Sequence, residues 1–268
     1  MERIQSAMAK ARAAREGKVQ TTDATGKRST VGADSWAEMP EMPLNLELLD
    51  KNRIVAHSPG ASAASFDVMR TNLLRILRTN GWSRVAITSP TPGCGKTTVT
   101  LNLAFSLARL ADIKVLVIEL DLRRPAMTPA LGQVPGQNFA GMLASSLIDL
   151  RQIRRIGDNL ALGLTSQAID SPAELLSAAH TADMIDEIEA RLRPDVILFD
   201  MSPMLANDDT IAFLDQVDCA LMVAAAEETT VSDVERCGKD LGTHTQVLGV
   251  VLNKCRYMGQ GDDVSYPD

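Results

Sequence analysis

Short apolar runs alternate with stretches of helical composition from about residue 52 to residue 256. The six runs are RVAITS, KVLVIEL, LALGLT, DVILFD, CALMVAA and VLGVVLN. Because these runs lack polar alternation, both faces of each predicted strand are expected to be covered. Strands that alternate with helices form βαβ units around a parallel sheet. The pattern therefore predicts an α/β fold with a doubly wound, mainly parallel sheet and helices on both faces.

Helices are predicted between these strands and once before the first of them. Their predicted starts lie near Lys96, Phe139, Pro172, Ala182, Asp208 and Ser232, and the additional helix covers SFDVMRTNLLRILR. In sheets of this kind ligands bind at the carboxyl ends of the strands. The residues that directly follow each apolar run are therefore the candidates for a functional site.

The first run is followed by SPTPGCGKTT, Ser89 to Thr98, which leads directly into a helical pattern. The stretch departs from the phosphate-loop pattern G-x-x-x-x-G-K-[ST] only at its start, where Pro90 replaces glycine. Backbone N–H groups and the positive end of the helix would face a phosphate, and Lys96 adds a positive charge. The hydroxyl of Thr97 can ligate magnesium. The stretch therefore predicts a nucleotide site of the P-loop NTPase type.

Polar side chains also follow three later runs. Glu119 and Asp121 end the second run, and their spacing of two residues predicts that both carboxylates point the same way, around magnesium and an attacking oxygen. Asp200 follows four apolar residues, as a Walker B carboxylate does. Asn253 follows the last run, where its amide could read the edge of an adenine.

Together these motifs resemble those of the bacterial tyrosine kinases (BY-kinases), P-loop ATPases of capsule and exopolysaccharide production that are related to the chromosome-partitioning ATPases. The matching stretches span about residues 52 to 256 and are NRIVAHSPGASAASFDVMRTNL, TSPTPGCGKTTVTLNLA, VLVIELDLRRP, SPAELL, VILFDMSP and VLGVVLNK. Proline at the position of Pro90 is usual in this family. Partitioning ATPases have a second lysine early in the loop, where this chain has Thr91.

The resemblance implies an enzyme that uses ATP and Mg²⁺ to transfer the γ-phosphoryl group to a tyrosine hydroxyl. The nucleotide-binding residues that it implies are Pro92, Gly93, Cys94, Gly95, Lys96, Thr97, Thr98 and Asn253. The implied catalytic residues are Lys96, Glu119, Asp121 and Asp200, with Asp121 as the candidate proton acceptor, and the implied metal ligands are Thr97, Glu119 and Asp200. It also implies a membrane polysaccharide co-polymerase as partner and leaves association with further copies of the chain open.

Two departures from the family pattern lie inside the site. Glu119 stands where the family has aspartate, and the added methylene moves the carboxylate by about 1.5 Å. Cys94 stands where the family usually has glutamate, although only its backbone N–H need face a phosphate. A thiol at a helix N-terminus beside Lys96 is expected to have a lowered pKa, which makes oxidation of Cys94 a hypothesis alongside that of an inert loop residue.

Two further departures lie outside the site. The family's E-x-x-R-x-x-R assembly motif falls on Ala64, Asp67 and Arg70, of which only Arg70 matches. The family's tail carries a tyrosine cluster, whereas this chain contains two tyrosines, Tyr257 and Tyr266. These two are the candidate phosphoacceptors. A partitioning-type switch, which binds ATP and phosphorylates no protein, is the alternative function.

Composition limits the other possibilities. The chain has 27 basic and 34 acidic side chains, a net charge of −7, which predicts no binding to nucleic acid. Its apolar runs are shorter than a membrane span, and its start lacks the apolar core of a signal peptide, so a cytoplasmic location is expected. The family resemblance adds the expectation that a partner recruits the chain to the inner face of the membrane. The predicted organisation is a helix over 1–17, a flexible linker over 18–51, the P-loop domain over 52–256 and a tail over 257–268.

Overall fold

The structure, a computed structural model, describes residues 35–133, 136, 138–145 and 147–255. The predicted helix over 1–17, residues 18–34 of the predicted linker and the whole predicted tail over 257–268, with Tyr257 and Tyr266, lie outside these residues. The strands are β1 Arg84–Thr88, β2 Val115–Glu119, β3 Ile153–Ile156, β4 Leu160–Gly163, β5 Val196–Asp200, β6 Cys219–Ala225 and β7 Gln246–Asn253. The α-helices are α1 Leu46–Lys51, α2 Ala64–Asn80, α3 Lys96–Ala108, α4 Met127–Ala130, α5 Phe139–Ser145, α6 Pro172–Ser177, α7 Ala179–Leu192, α8 Asp209–Phe213 and α9 Val231–His244. Short 3-10 helices cover Ala61–Ala63, Leu150–Gln152 and Leu214–Gln216.

The strands form one seven-stranded sheet in the order β3-β4-β2-β5-β1-β6-β7. Neighbouring strands run parallel except β3 and β4, which are antiparallel. Because β1 lies between β5 and β6, and β2 lies on the far side of β5, the chain crosses over the sheet repeatedly. The predicted doubly wound, mainly parallel sheet is confirmed, and the ends of β1, β2 and β5 lie side by side.

Apolar side chains pack on both faces of the sheet, as the uninterrupted apolar runs predict. Val85 and Ile87 of β1 belong to one buried cluster, which includes Leu77 of α2 and Leu101 of α3. Ala86, between them, belongs to the other cluster, which residues of α7 and α9 complete. Successive residues of a strand point to opposite faces, so the central strands contribute to both clusters.

The seven helices predicted in the described part of the chain begin within three residues of their predicted starts, whereas α1 and α4 were not predicted. The largest difference is at α7, which begins at Ala179 where Ala182 was expected. Helix α9 begins at Val231, one residue before its predicted start. The hydroxyl of Thr230 accepts a hydrogen bond from the backbone N of Asp233 at 3.1 Å and so caps α9. Among the described residues, no helix combines the length and the apolar character that crossing a membrane requires.

The flexible linker predicted over 18–51 is wrong for residues 35–51. Trp36, Met39, Met42 and Leu49 are each at most 4% exposed, and α1 lies in this segment. The backbone of Met42 donates to the carbonyl oxygen of Arg155 in β3 at 2.7 Å. A few large side chains anchor the segment to the domain, although its average composition is that of a linker.

Strand β3 was not predicted. Its sequence, IRRI, has two arginines between its apolar residues and so lacks the apolar run by which the other strands were identified. β3 lies at the edge of the sheet and pairs antiparallel with β4. An edge strand can have polar positions of this kind because part of it remains accessible to water.

Candidate nucleotide-binding site

The phosphate loop, residues 89–95, connects the end of β1 to the start of α3. Gly93 and Gly95 have φ angles of +83° and +90°, which side chains other than glycine rarely adopt. At Gly95 a Cβ atom would also lie 2.2 Å from Nδ2 of Asn253. Glycine at these positions therefore allows the loop to turn tightly and to present its backbone N–H groups at the start of α3.

A cavity of about 390 Å³ opens beside the phosphate loop. We call it the nucleotide cavity. Its walls are three loops that follow strands: the phosphate loop, the loop after β2 and the loop after β5. The lining residues are Pro92, Gly93, Gly95, Lys96, Thr97, Thr98, Asp121, Arg123, Arg124, Ala126, Pro203, Ala206 and Asn207. Six of the predicted nucleotide-binding residues therefore lie together on this cavity.

Lys96 and Asp121 form an ion pair at the cavity wall. The Nζ atom of Lys96 donates to Oδ2 of Asp121 at 2.9 Å, and both side chains are less than 10% exposed. A buried ammonium group needs a compensating anion. Asp121 provides that anion here, and a phosphate could provide it when a nucleotide is bound.

Asp200 at the end of β5 lies against the first turn of α3. Its Oδ2 accepts a hydrogen bond from the hydroxyl of Thr97 at 2.7 Å, and Oδ1 lies 3.4 Å from the hydroxyl of Thr100. Burial raises the pKa of Asp200 to about 6, and the nearby Lys96 opposes that shift. The predicted Walker B carboxylate therefore contacts the predicted metal-binding hydroxyl directly.

Glu119 and Asp121 do not point the same way. Both carboxylate oxygens of Glu119 accept hydrogen bonds from backbone N–H groups: Oε1 from Ala126 at 2.6 Å and Met127 at 2.7 Å, and Oε2 from Thr165 at 3.1 Å. β2 ends at Glu119, so the strand alternation on which the prediction relied does not extend to Asp121. Glu119 is fully buried and holds the loop after β2 in place.

Burial determines the ionisation of Glu119. It raises the pKa of this carboxyl to about 7, and the charge of the neighbouring Asp200 acts in the same direction. The three backbone N–H groups oppose the shift because they stabilise the charged form. Glu119 and Asp200 are register partners in the sheet, which explains why the two carboxylates interact.

Asn253 contacts the phosphate loop. Its Nδ2 donates to the carbonyl oxygen of Cys94 at 2.9 Å. This contact ties β7, at the edge of the sheet, to the loop at its centre. The reading of an adenine by Asn253 stays a prediction.

The side chain of Cys94 points away from the nucleotide cavity. Its Sγ lies 3.5 Å from the hydroxyls of Thr91 and Thr229, and the residue is 1% exposed. Burial raises the pKa of this thiol, but hydrogen bonds with Thr91 and Thr229 lower the pKa by more than burial raises it. The net shift of the pKa is therefore downward. The downward shift of the pKa agrees with the expectation from the sequence. The burial of Cys94, however, restricts access of an oxidant to the sulfur.

The two consecutive arginines after Asp121 have different surroundings. Arg123 pairs with the fully buried carboxylate of Asp209 through two hydrogen bonds, Nε to Oδ2 at 2.8 Å and Nη2 to Oδ1 at 3.0 Å. Arg124 is exposed and lines the cavity. Among the described residues its guanidinium has no hydrogen-bond or ion-pair partner, so Arg124 is available to an anionic ligand.

The donor set fits a magnesium ion bound together with a nucleotide. Within the described residues, no group of three or more His, Cys, Asp or Glu side chains could hold a metal ion alone. Mg²⁺ bound with a nucleotide commonly takes few protein ligands and completes its shell with phosphate oxygens and water. Thr97 and Asp200 offer such a partial set beside the loop.

The sequence reasoning missed Asn207, which lines the nucleotide cavity and interacts with Ser202 and Asp209. Asn207 lies in the loop after Asp200 and belongs to no motif. Its position in the loop that follows Asp200, an acidic residue at the end of a strand, is the sequence feature that could have identified it.

Comparison with known proteins shows the family to which the chain is related. Residues 85–262 match the family model described as the CobQ/CobB/MinD/ParA nucleotide binding domain. YwqD of Bacillus subtilis, named a tyrosine-protein kinase, is 27% identical over 208 residues, which are 76% of this chain and 86% of that protein. The solved kinase domain of VpsO is 28% identical, with a TM-score of 0.62 over 72% of this chain and 96% of that one.

A longer relative is EpsB of Ralstonia nicotianae, 29% identical over 236 residues and 83% of this chain. The chain spans about a third of the length of that relative, 31%. The resemblance to bacterial tyrosine kinases is confirmed by these matches. The phosphate loop, the acidic strand ends and the family match together show that the chain belongs to the CobQ/CobB/MinD/ParA nucleotide-binding domain family.

Proposed function

We propose that the chain is an ATP-dependent protein-tyrosine kinase of the BY-kinase type, which acts in exopolysaccharide or capsule production. The observation that best supports this function is the Lys96–Asp121 ion pair at 2.9 Å beside a phosphate loop with two left-handed glycines. The pair supplies both a cation for a phosphoryl group and a carboxylate for a proton. The named kinase relatives favour tyrosine as the acceptor.

In the proposed reaction, backbone N–H groups at the start of α3 bind the phosphates, and Lys96 turns from Asp121 to the transferred group. This movement leaves Oδ2 of Asp121 free to accept the proton of the attacking tyrosine hydroxyl. Lys96 meanwhile offsets negative charge on the transferred phosphoryl oxygens. The burial of both side chains strengthens these interactions because little water competes with them.

Magnesium would be held by the Thr97 hydroxyl with Asp200 beside it, and the ion, when bound, would neutralise charge on the β- and γ-phosphates. The role of the chain is to keep that hydroxyl oriented. Asp200 does so through its hydrogen bond to Thr97 at 2.7 Å. Glu119, a candidate ligand from the sequence, instead supports the loop that presents Asp121 and Arg124.

The proposed acceptors are the two tyrosines of the chain, Tyr257 and Tyr266. Both follow β7 in sequence, and Asn253 at the end of β7 contacts the phosphate loop. The proposed partner is the cytoplasmic segment of a membrane polysaccharide co-polymerase. The location that this proposal implies is the inner face of the membrane.

Phosphotyrosine formation tests this function. The chain is incubated with ATP and Mg²⁺, alone and with the cytoplasmic segment of a candidate co-polymerase, and phosphotyrosine is located by mass spectrometry. We expect modification of Tyr266 or Tyr257 in the unchanged chain and in Lys239→Ala, whose lysine is exposed on α9, but none in Lys96→Ala. ATP hydrolysis without phosphotyrosine under both conditions would contradict the kinase and favour the partitioning-type switch.

A further inference from the structure

Asn207 belongs to the loop between β5 and α8 and lines the nucleotide cavity. It shares this cavity with Lys96, Thr97 and Asp121. Nothing in the motifs assigns it a role. Its hydrogen bonds nevertheless fix the direction of its amide.

The oxygen of the Asn207 amide faces the protein. Oδ1 accepts a hydrogen bond from the hydroxyl of Ser202 at 2.8 Å and from the backbone N of Asp209 at 3.1 Å. A backbone N–H can only donate, so the amide oxygen and not the nitrogen must face Asp209. The orientation of the amide therefore follows from its partners.

The group that holds Asn207 is itself rigid. Ser202 is fully buried, and its carbonyl oxygen accepts hydrogen bonds from the hydroxyls of Thr88 at 2.8 Å and Thr210 at 2.7 Å. Thr88 is the last residue of β1, directly before the phosphate loop. The loop after β5 is also tied to the phosphate loop by the backbone hydrogen bond from Met204 to Ser89 at 2.9 Å. Asn207 is thus held in a fixed position relative to the loop.

The nitrogen of the same amide has no partner among the described residues, although its residue lines the cavity. We propose that Nδ2 of Asn207 donates a hydrogen bond to the terminal phosphoryl group of ATP and so distinguishes ATP from ADP. The inference rests on the proposed function, because it assumes that the cavity holds ATP. Asn207 is then a positioning residue that binds the group to be transferred.

The position in the cavity favours the terminal phosphate over the rest of the nucleotide. The backbone of the phosphate loop surrounds the inner phosphates in sites of this type. Asn207 lies on the wall formed by the loop after β5, and the Lys96–Asp121 pair, which the reaction needs at the transferred group, lines the same cavity. A neutral donor there adds a hydrogen bond to a charged oxygen without adding a charge.

A purely structural role for Asn207 can be separated from this one. In Asn207→Asp, a carboxylate oxygen can still accept from Ser202 and Asp209, so the loop keeps its contacts. The second oxygen replaces the donor with a negative charge. Asn207→Ala removes the donor and the loop contacts together.

The test compares binding of ADP and of a non-hydrolysable ATP analogue, each with Mg²⁺, by titration calorimetry. We expect Asn207→Ala to weaken the analogue about tenfold, as for loss of one hydrogen bond to a charged group, and Asn207→Asp to weaken it more. ADP affinity should stay within about twofold in both variants, since ADP lacks the contacted group. Asp208→Ala, at the exposed neighbouring residue, is the matched control and should change neither affinity.

The outcomes separate the role inferred for Asn207 from the proposed function of the chain. Equal weakening of ADP and the analogue would assign Asn207 a structural role and overturn the inference, as would unchanged affinity for the analogue in Asn207→Asp. Failure of the unchanged chain to bind either nucleotide would contradict the proposed function itself. ADP binding also reports whether each variant has folded.

Discussion

The side-chain amide of Asn253 donates a hydrogen bond to the carbonyl oxygen of Cys94 at 2.9 Å, and so joins the last strand to the phosphate loop. The contact lies directly against Gly95, where a Cβ atom would meet Nδ2 of Asn253 at 2.2 Å. A residue at the sheet edge therefore helps to shape a loop at the centre of the sheet.

Gly95→Ala should disrupt nucleotide binding. The substitution combines a φ of +90° with a steric contact to Asn253, so we expect a loss of about 1–3 kcal/mol in stability from the strained backbone and a loss of nucleotide affinity. Calorimetric titration with ADP and thermal unfolding measure the two effects. Gly242→Ala is the control, because Gly242 lies in α9 with no atom within 4 Å of the added Cβ. Gly242→Ala should be neutral or stabilising. If Gly95→Ala bound ADP as tightly as the unchanged chain does, the result would contradict the account of the loop.

Arg123→Ala should lower the midpoint of thermal unfolding. The substitution leaves the carboxylate of Asp209, which is 0% exposed, without its cation, and an unpaired buried charge is strongly destabilising. The double variant Arg123→Ala/Asp209→Asn should recover part of the loss because it removes that charge. Arg124→Ala, at the neighbouring arginine, whose guanidinium has no partner within the described part of the chain, should leave the unfolding midpoint unchanged. A similar loss of stability in Arg124→Ala would show that the ion pair is not the cause.

Glu119 should make the nucleotide-free protein less stable as the pH rises. Its pKa is raised by burial to about 7 from 4.5, so the folded state holds a proton that the unfolded state has released between these values. Stability contributed by the protonated carboxyl is present below pH 4.5 and is lost as the pH rises through 7. The free energy of unfolding should therefore fall relative to that of Glu119→Gln by up to about 3 kcal/mol over this range, at about 1.4 kcal/mol per pKa unit.

Denaturant unfolding at several pH values checks this expectation. Groups common to both proteins cancel in the difference to a first approximation, because glutamine at position 119 does not titrate. A difference that is constant from pH 4.5 to pH 7 would contradict the raised pKa of Glu119.

Trp36→Ala should destabilise the domain by about 3–5 kcal/mol, the usual cost of removing a buried tryptophan side chain. Trp36 is 4% exposed, its Nε1 donates to the carbonyl oxygen of Leu192 at 2.7 Å, and the ammonium group of Lys114 lies 4.9 Å from its ring centre. Leu46→Ala is the control in the same segment, since Leu46 is 53% exposed. Denaturant unfolding measures both variants. Equal and small effects would restore the linker interpretation of residues 35–51.

The sequence was sufficient to predict the sheet and the position of the site because both depend on local patterns. Apolar runs identify buried parallel strands, and the residues that follow β1, β2 and β5 meet at one edge. The pairing of Lys96 with Asp121 and of Thr97 with Asp200 follows from this arrangement. The individual contacts were not predicted, because they depend on the strand order of the folded sheet.

The features that were missed depend on tertiary contacts. Glu119 turns to backbone N–H groups of Ala126, Met127 and Thr165, which the spacing of two carboxylates does not reveal. Trp36 lies in a segment of polar composition but is buried, and its indole N–H bonds to the distant Leu192. The amide of Asn207 is fixed by partners that become its neighbours only when the loop after β5 folds.

The fate of the γ-phosphoryl group tests the central claim most directly. The chain is incubated with γ-labelled ATP and Mg²⁺, with and without the cytoplasmic segment of a candidate co-polymerase, and the label on protein is compared with the label released as inorganic phosphate. The account predicts label on tyrosine that disappears in Tyr257→Phe/Tyr266→Phe. Recovery of all transferred label as inorganic phosphate under both conditions would contradict a tyrosine kinase.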